Sequence, residues 1–232
     1  MLNTVNAFFN DFIALFYPEC CVSCERGLVK QEKLLCFHCI STLPECNYHT
    51  QKDNPIAQKF WGRLPLHHAS AYLKFSKGGQ VQKILHSLKY EGEKEISDWM
   101  GNIYGQVLAN SGFQSMFDAI IPVPLHPQKE KLRGYNQCEG FAETLSVKLM
   151  AENLPKGLKR KVFSNSQTKQ TKSGRYENIR GVFEVADKQM IEGKRILLVD
   201  DVITTGATLE SCGIELLEAG AKELSIVAMA AA

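Results

Sequence analysis

The spacing of apolar positions changes several times along the chain, and each change marks an element. His68 to Phe75 alternates, with Ala69, Ala71, Leu73 and Phe75 apolar, and predicts a strand. Val81, Ile84, Leu85 and Leu88 recur at helical spacing up to Lys89-Tyr90-Glu91-Gly92, and a second helical pattern runs from Ile96 to Leu108. Ala119 to Val123 reads as a buried strand with a stiff exit through Pro122 and Pro124, and a helix follows from about Cys138 to Met150. Ile179 to Val185 is strand-like. Ile196 to Val199 is unbroken apolar sequence, as expected of a strand buried on both faces of a parallel sheet. Leu209, Cys212, Leu216 and Leu217 return to helical spacing before Gly220, a natural helix stop, and Glu223 to Met229 supplies a last strand. The pattern predicts an α/β core with a mainly parallel sheet flanked by helices.

The chemistry concentrates where the apolar run Ile196–Val199 gives way to Asp200-Asp201 and then to Thr204-Thr205-Gly206-Ala207-Thr208. Glycine lets backbone turn tightly and approach a ligand. The helix start beyond it offers unpaired N–H groups and the positive end of a dipole, which suit a phosphate. The threonine hydroxyls add donors. The two carboxylates accept from sugar hydroxyls or hold Mg²⁺ through water. The expected ligand is a phosphorylated sugar, its phosphate in the loop and its ribose against Asp200 and Asp201. Two solvated acids with Thr208 as an ordinary helix cap would be the plainer reading, but it leaves Thr-Thr-Gly without a reason. No Gly-x-x-x-x-Gly-Lys run is present, and the dinucleotide pattern Gly-x-Gly-x-x-Gly is absent from this stretch.

The chain has 232 residues, 44% of them hydrophobic, which suffices for one ordinary core and a small appendage. Net charge is only +2, so nothing global argues for nucleic acid. Between His126 and Arg195, however, 15 Lys/Arg face 8 Asp/Glu, a local bias that suits a polyphosphate or a nucleic-acid backbone as well as a solvated basic face. Six of the eight cysteines fall between Cys20 and Cys46. Cys21-Val-Ser-Cys24 and Cys36-Phe-His-Cys39 form two Cys-x-x-Cys knuckles, and together they offer a four-thiolate site. Zinc is the expected metal, in a structural role, because four protein ligands leave no open coordination position. Cys46-Asn-Tyr-His49 is a further metal-type pair; Cys20 and Cys46 read more simply as spare thiols, and Cys138 and Cys212 as core residues.

Residues 1–17 read as an amphipathic helix docked on the protein, since they lack a basic start and a cleavage site and are too short to span a bilayer. The expected location is the cytoplasm, with no transmembrane segment. The expected divisions are a zinc-ribbon module over 18–50, a linker over 51–66 and the main domain over 67–232. Lys89 reads as a solvated helix-end lysine, with reach to an anionic ligand as the alternative. Lys129 to Gln137 reads as a loop between strand and helix, the place where α/β proteins hold ligands. In it Arg133 offers a two-pronged phosphate contact, while Asn136 and Gln137 either donate amides or cap the helix. Ser164 to Asn178 is polar and basic; it is expected to be mobile, as a lid beside the phosphate site or simply as an exposed loop.

Leu-Leu-Val-Asp-Asp-Val-Ile-Thr-Thr-Gly-Ala-Thr208 resembles the phosphoribosyl pyrophosphate motif of type I phosphoribosyltransferases. Three blocks together resemble the ComF family of competence-associated proteins: the paired Cys-x-x-Cys module; Pro122-Val-Pro-Leu-His joined to Arg133-Gly-Tyr-Asn-Gln137; and Gln167-Thr168, Arg175-Tyr-Glu-Asn178 and Gly181-Val-Phe183 leading into the acidic pair. The resemblance implies a type I phosphoribosyltransferase-like fold with an N-terminal zinc ribbon. It implies ribose-phosphate binding by Asp200, Asp201 and Thr204 to Thr208, a pyrophosphate subsite near Pro124, Leu125 and Arg133, and a mobile loop carrying Arg175. It also implies handling of incoming single-stranded DNA in the cytoplasm. Three functions follow: a DNA- or nucleotide-handling protein that uses the pocket for binding, an active Mg²⁺-dependent phosphoribosyltransferase, and a regulator that senses the sugar phosphate.

Overall fold

The computed structural model describes residues 18–161 and 181–232. The proposed N-terminal helix and the whole basic loop Ser164 to Asn178, Arg175 included, lie outside the described residues. In chain order the elements begin with α1 (Phe37–Ser41), α2 (Pro55–Gln58) and β1 (His68–Lys74). Next come α3 (Gln80–His86), which runs into a π-helical turn at Ser87–Glu91, and α4 (Glu95–Leu108), which ends in a second one at Ala109–Phe113. β2 (Ala119–Pro122), α5 (Pro127–Arg133) and α6 (Gln137–Leu149) follow. The remainder is β3 (Glu152–Asn153), β4 (Leu158–Arg160), β5 (Phe183–Val185), β6 (Arg195–Ile203), α7 (Ala207–Glu218) and β7 (Glu223–Ala231).

Five strands form one wholly parallel sheet in the order β1-β7-β6-β2-β3, and β4 and β5 form a separate antiparallel pair. The central strands are buried on both faces, which explains their unbroken apolar sequence. Leu197 and Val199 of β6, with Val227 and Met229 of β7, pack against α3, α4 and α6 through Ile84, Leu88, Met100, Tyr104, Phe141 and Leu145. Ile196, Leu198, Ile226 and Ala228 face the other way, toward Leu209, Cys212 and Leu216 of α7. Helices α4 and α6 approach closely because Gly101 leaves no room for more: a Cβ there would sit 1.8 Å from Thr144 Oγ1. At the entry to the sheet Asp118 grips Arg195, accepting from its backbone N–H at 2.7 Å and from its guanidinium at 2.6 and 3.1 Å. These bonds hold the Asp118 carboxyl down at about 2.

The structure differs from the sequence-based outline in three places. β6 continues past Val199 to Ile203, pairing Asp200 with Ala228 and Ile203 with Ala231, so the acidic pair lies within the strand and not beyond it. Residues 127–133 are helical and not a loop; Pro127 at the first turn and Gly134 in the left-handed region at the end (φ 79°) supply the ordinary start and stop signals. Residues 51–66 join module to domain as packed structure, for Ile56, Phe60 and Leu64 are buried in the core beneath β1 and α7.

Asn54 organises that segment. It is fully buried, and its carboxamide oxygen caps α2 by accepting from Ile56 N at 2.9 Å and Ala57 N at 3.0 Å. Its Nδ2 donates to Ala69 O of β1 and to Gln51 O, both at 2.8 Å. The cysteine module is tied to the same strand. Cys46 N–H donates to Tyr72 O at 2.8 Å and Lys74 N–H to Pro44 O at 2.7 Å, so residues 44–46 lie antiparallel along the outer edge of β1. Replacing Asn54 by Ala strips two helix-start N–H groups and two carbonyls of their partners in a dry site. The variant is expected to lose roughly 2–4 kcal/mol in equilibrium denaturation.

Candidate functional site

Parallel strands gather their C-terminal ends at one edge of a sheet, and ligands of α/β folds bind outside that edge. Here the edge holds a cavity of about 230 Å³. Its walls include Asp200 and Asp201 of β6, Thr208 of α7, Val123 to Leu125 after β2, and Arg133 and Gln137 on α5 and α6. Among the described residues Lys89, Lys129 and Arg160 add to its charged lining, so four formal cations there face two carboxylates. That balance suits an anion.

The acidic pair is held from several sides. Asp201 Oδ2 accepts from Gln137 Nε2 at 2.6 Å and pairs with Lys89 Nζ at 2.8 Å. Asp200 Oδ1 accepts from Asp201 N–H at 2.8 Å, and the buried Cys138 thiol points at it from 3.7 Å. Burial, and next the negative charge of Asp201, push the Asp200 carboxyl well above the usual carboxylate range. Burial and the same two charges push the Cys138 thiol up, keeping it protonated. Arg133 Nη1 donates to Gln137 Oε1 at 2.6 Å, and its guanidinium covers the Tyr90 ring with 5.2 Å to the centroid. Asn136 turns away from the cavity. It caps α6 by accepting from Cys138 N at 3.1 Å, and it donates to Val123 O at 3.0 Å. It therefore positions the loop, whereas its neighbour Gln137 reaches the acids.

The hydroxyl loop is built as a helix entrance. Gly206 is the N-cap of α7, in the left-handed region at φ 78°, with no side-chain cap. Thr204, Thr205 and Thr208 are exposed around it. The packed segment before β1 braces the loop from behind. Lys59 Nζ donates to Thr204 O at 3.0 Å, and Arg63 Nη1 to Thr205 O at 2.9 Å, from 145 and 142 residues away in sequence. Arg63 also neutralises Glu210, the acid in the first turn of α7, leaving the helix entrance free of opposing charge. Phe60 fills the space under Gly206, where a Cβ would lie 2.7 Å from its ring.

Neither this brace nor Lys89 was prominent in the sequence. Lys89 reads there first as a solvated helix end; the structure places its ammonium on the acids. Its signal was the Lys-Tyr-Glu-Gly run closing a helical pattern. Tyr135 hydroxyl donates to Leu88 O in the π turn, tying the Arg133–Gln137 block to the residue beside Lys89.

The second cluster lies in the N-terminal module. The sulfurs of Cys21, Cys24, Cys36 and Cys39 all lie within 4.8 Å of one another, with Cys24 and Cys36 at 3.7 Å. A tetrahedron with metal–sulfur bonds of about 2.3 Å has edges near 3.8 Å, so the spacing fits. Cys36 N–H and Cys39 N–H each donate to a sulfur at 3.4 Å, the knuckle arrangement that stabilises thiolates. Glu32 ties the hairpin between the knuckles, accepting from Val29 N, Phe37 N and Arg26; the backbone donors hold its carboxyl below the usual range. Among the described residues neither Cys20, Cys46 nor His49 joins this cluster.

Residues 136–232 match the model of the phosphoribosyl transferase domain. The chain is 36% identical over 116 residues to Competence protein F of Haemophilus influenzae, covering 50% of this chain and 51% of that one. It is 26% identical over 148 residues to Competence protein ComFC of Bacillus subtilis, covering 63% and 57%. It thus spans little more than half the length of these two. It is 26% identical over 223 residues to the DNA utilization protein YhgH of Escherichia coli, covering 92% and 91%. Among solved structures, a glutamine phosphoribosylpyrophosphate amidotransferase from B. subtilis aligns with 58% of this chain and 26% of its own, at 21% identity and a TM-score of 0.42.

Gly206→Ala tests the brace. The added methyl disfavours the left-handed backbone and drives Phe60 outward, so a loss of roughly 2–4 kcal/mol is expected in denaturant unfolding. Combining it with Phe60→Ala should cost less than the sum of the two, since both act on one contact. With its acidic strand, its hydroxyl loop and its four-cysteine module, the chain is similar to the ComF-type competence and DNA utilization proteins, and its residues 136–232 match the phosphoribosyl transferase domain.

Proposed function

We propose that the cavity binds a phosphoribosyl pyrophosphate-type ribose phosphate, and that the protein handles incoming single-stranded DNA during uptake. The observation that carries the ligand assignment is the joint placement of the acidic pair and the open helix entrance at one sheet edge. Thr204 to Thr208 and the first N–H groups of α7 take the sugar's phosphate. Asp200 and Asp201 accept from the ribose hydroxyls. Pro124, Leu125 and Arg133 form the pyrophosphate side, where Arg133 supplies a planar fork to phosphate oxygens. The carboxylate pair also suits Mg²⁺ held through water; bound there with the ligand, the ion would neutralise pyrophosphate charge. The DNA role is supported by the names of the competence and DNA utilization relatives and by the cations around the cavity. A protein that works on DNA already inside the cell acts in the cytoplasm, where thiols stay reduced and serve as metal ligands.

Active phosphoribosyl transfer is the second reading, favoured by the same acid pair and phosphate loop. In it the chain's residues hold the ribose and the departing pyrophosphate while an acceptor approaches C1, and the preorganised cations stabilise the charge that develops. Calorimetry with phosphoribosyl pyrophosphate and Mg²⁺ tests both readings. Micromolar binding is expected, weakened tenfold or more in the Asp200→Asn, Asp201→Asn double variant. No binding by the folded wild-type protein would remove the assignment, and release of pyrophosphate with a nucleobase or amine acceptor would establish transfer. For DNA, affinity for a short single strand should fall steeply as salt rises.

The four-sulfur cluster holds a structural zinc in this reading. The metal closes a module that has little core of its own, as small metal-folded domains require. Elemental analysis should find one zinc per chain, and Cys36→Ser should lose both the metal and much of the stability.

A further inference from the structure

Lys89 is attached to the acidic pair by an unusual piece of backbone. It sits in the middle of the π-helical turn Ser87–Glu91, which continues α3 with a wider register and ends at Gly92 in the left-handed region (φ 83°). Wide turns of this kind are uncommon and recur at functional sites. The turn is pinned independently of the lysine side chain. Tyr135 hydroxyl donates to Leu88 O, and Ser87 hydroxyl donates to Glu91 Oε2 at 2.7 Å. The backbone therefore stays in place whichever way the lysine points.

The contact itself is one that a ligand can exchange. Lys89 Nζ meets Asp201 Oδ2 at 2.8 Å, with 21% of its side chain exposed and 12% of the aspartate's. The same oxygen keeps Gln137 Nε2 at 2.6 Å, so the carboxylate retains a donor when the ammonium leaves. Arg133, a second cation of the cavity, is engaged with Gln137 Oε1 and the Tyr90 ring. Lys89 is the cation that pairs with the acids among the described residues.

We propose that Lys89 is an exchangeable counter-ion: it neutralises the carboxylate pair while the pocket is empty and transfers to the ligand's phosphate oxygens when a sugar phosphate binds. Sugar hydroxyls then replace the ammonium on Asp201, and an anion takes the ammonium it displaced. A ligand that brings both groups satisfies every partner. A bare divalent cation does not, because it must expel the lysine with nothing to receive it. Lys89 is thus a specificity-determining residue that reserves the acids for a ligand combining hydroxyls with phosphate. This inference rests on the ribose-phosphate reading for its second half alone.

The test pairs two titrations whose expected changes have opposite sign. Mn²⁺ alone is followed by electron paramagnetic resonance, and phosphoribosyl pyrophosphate with Mg²⁺ by calorimetry, on wild type, Lys89→Met and Lys89→Arg. In Lys89→Met, Mn²⁺ should bind about tenfold tighter, because two carboxylates lose their cation, while the sugar phosphate should bind about tenfold weaker. Lys89→Arg keeps the charge and should stay near wild type for Mn²⁺. Tyr135→Phe keeps the lysine but frees its turn, and should shift both affinities partway in the same directions. Thermal melts monitored by circular dichroism confirm that each variant is folded. Unchanged Mn²⁺ affinity in folded Lys89→Met overturns the counter-ion role, whatever the sugar phosphate does. Tighter Mn²⁺ with unchanged sugar-phosphate binding overturns the transfer. If wild type itself binds no sugar phosphate, the ligand assignment and the transfer fall together, and the Mn²⁺ titration still decides the counter-ion role.

Discussion

Carrying two adjacent carboxylates on the central strand of the sheet is the constraint around which this protein is arranged. β6 is enclosed on both faces and paired along both edges as far as Val199; Asp200 and Asp201 come just beyond β2, where the strand pairs with β7 alone. A charge taken out of water is costly unless it is matched. The match comes from several separate elements. Lys89 comes from the turn after α3, Gln137 and Cys138 from the start of α6, and the Asp201 backbone N–H from β6 itself. Each of those elements needs its own support. Tyr135 holds the turn, and Asn136 caps the helix. The acidic pair thus dictates the conformation of a block nearly seventy residues upstream.

Parts of this were plain in the sequence, for a physical reason. The strand, the acids, the hydroxyl loop and the following helix are contiguous, so local pattern specifies them together. The two cysteine knuckles are also local, and the thiols converge as their spacing implies. Asn54, Lys59 and Arg63 were not legible because each acts on backbone far away in the chain. Their segment has no period to notice, since it buries single residues from irregular turns. Lys89 was hidden because its partner, Asp201, lies on a strand far along the chain. The α5 helix was a different kind of miss. Its proline start and glycine stop were visible, but seven residues without a buried face give no apolar period.

The same long-range contacts change what counts as a unit. The matched stretch begins at Asn136, yet the sheet needs β1 and β2, and the hydroxyl loop needs the segment ahead of β1. The cysteine module is equally continuous with the rest, for Leu35, Cys39 and Leu43 share a core with Ile84, Met100 and Tyr104. Module and domain are covalent neighbours whose interiors have merged.

That merger has a bearing on solubility. Residues 44–46 lie along β1, the outermost strand on its side of the sheet, and Ala69, Ala71, Tyr72 and Leu73 on that strand are buried. An uncovered strand of this kind is a template for pairing with other chains. The module therefore serves as a lid on an adhesive margin. A chain stripped of it would present the Lys74 amide and the Tyr72 carbonyl unpaired beside apolar side chains. Its fate would be self-association before any question of ligand binding arose, which makes the cysteine cluster a guard against aggregation as much as a prop for the fold.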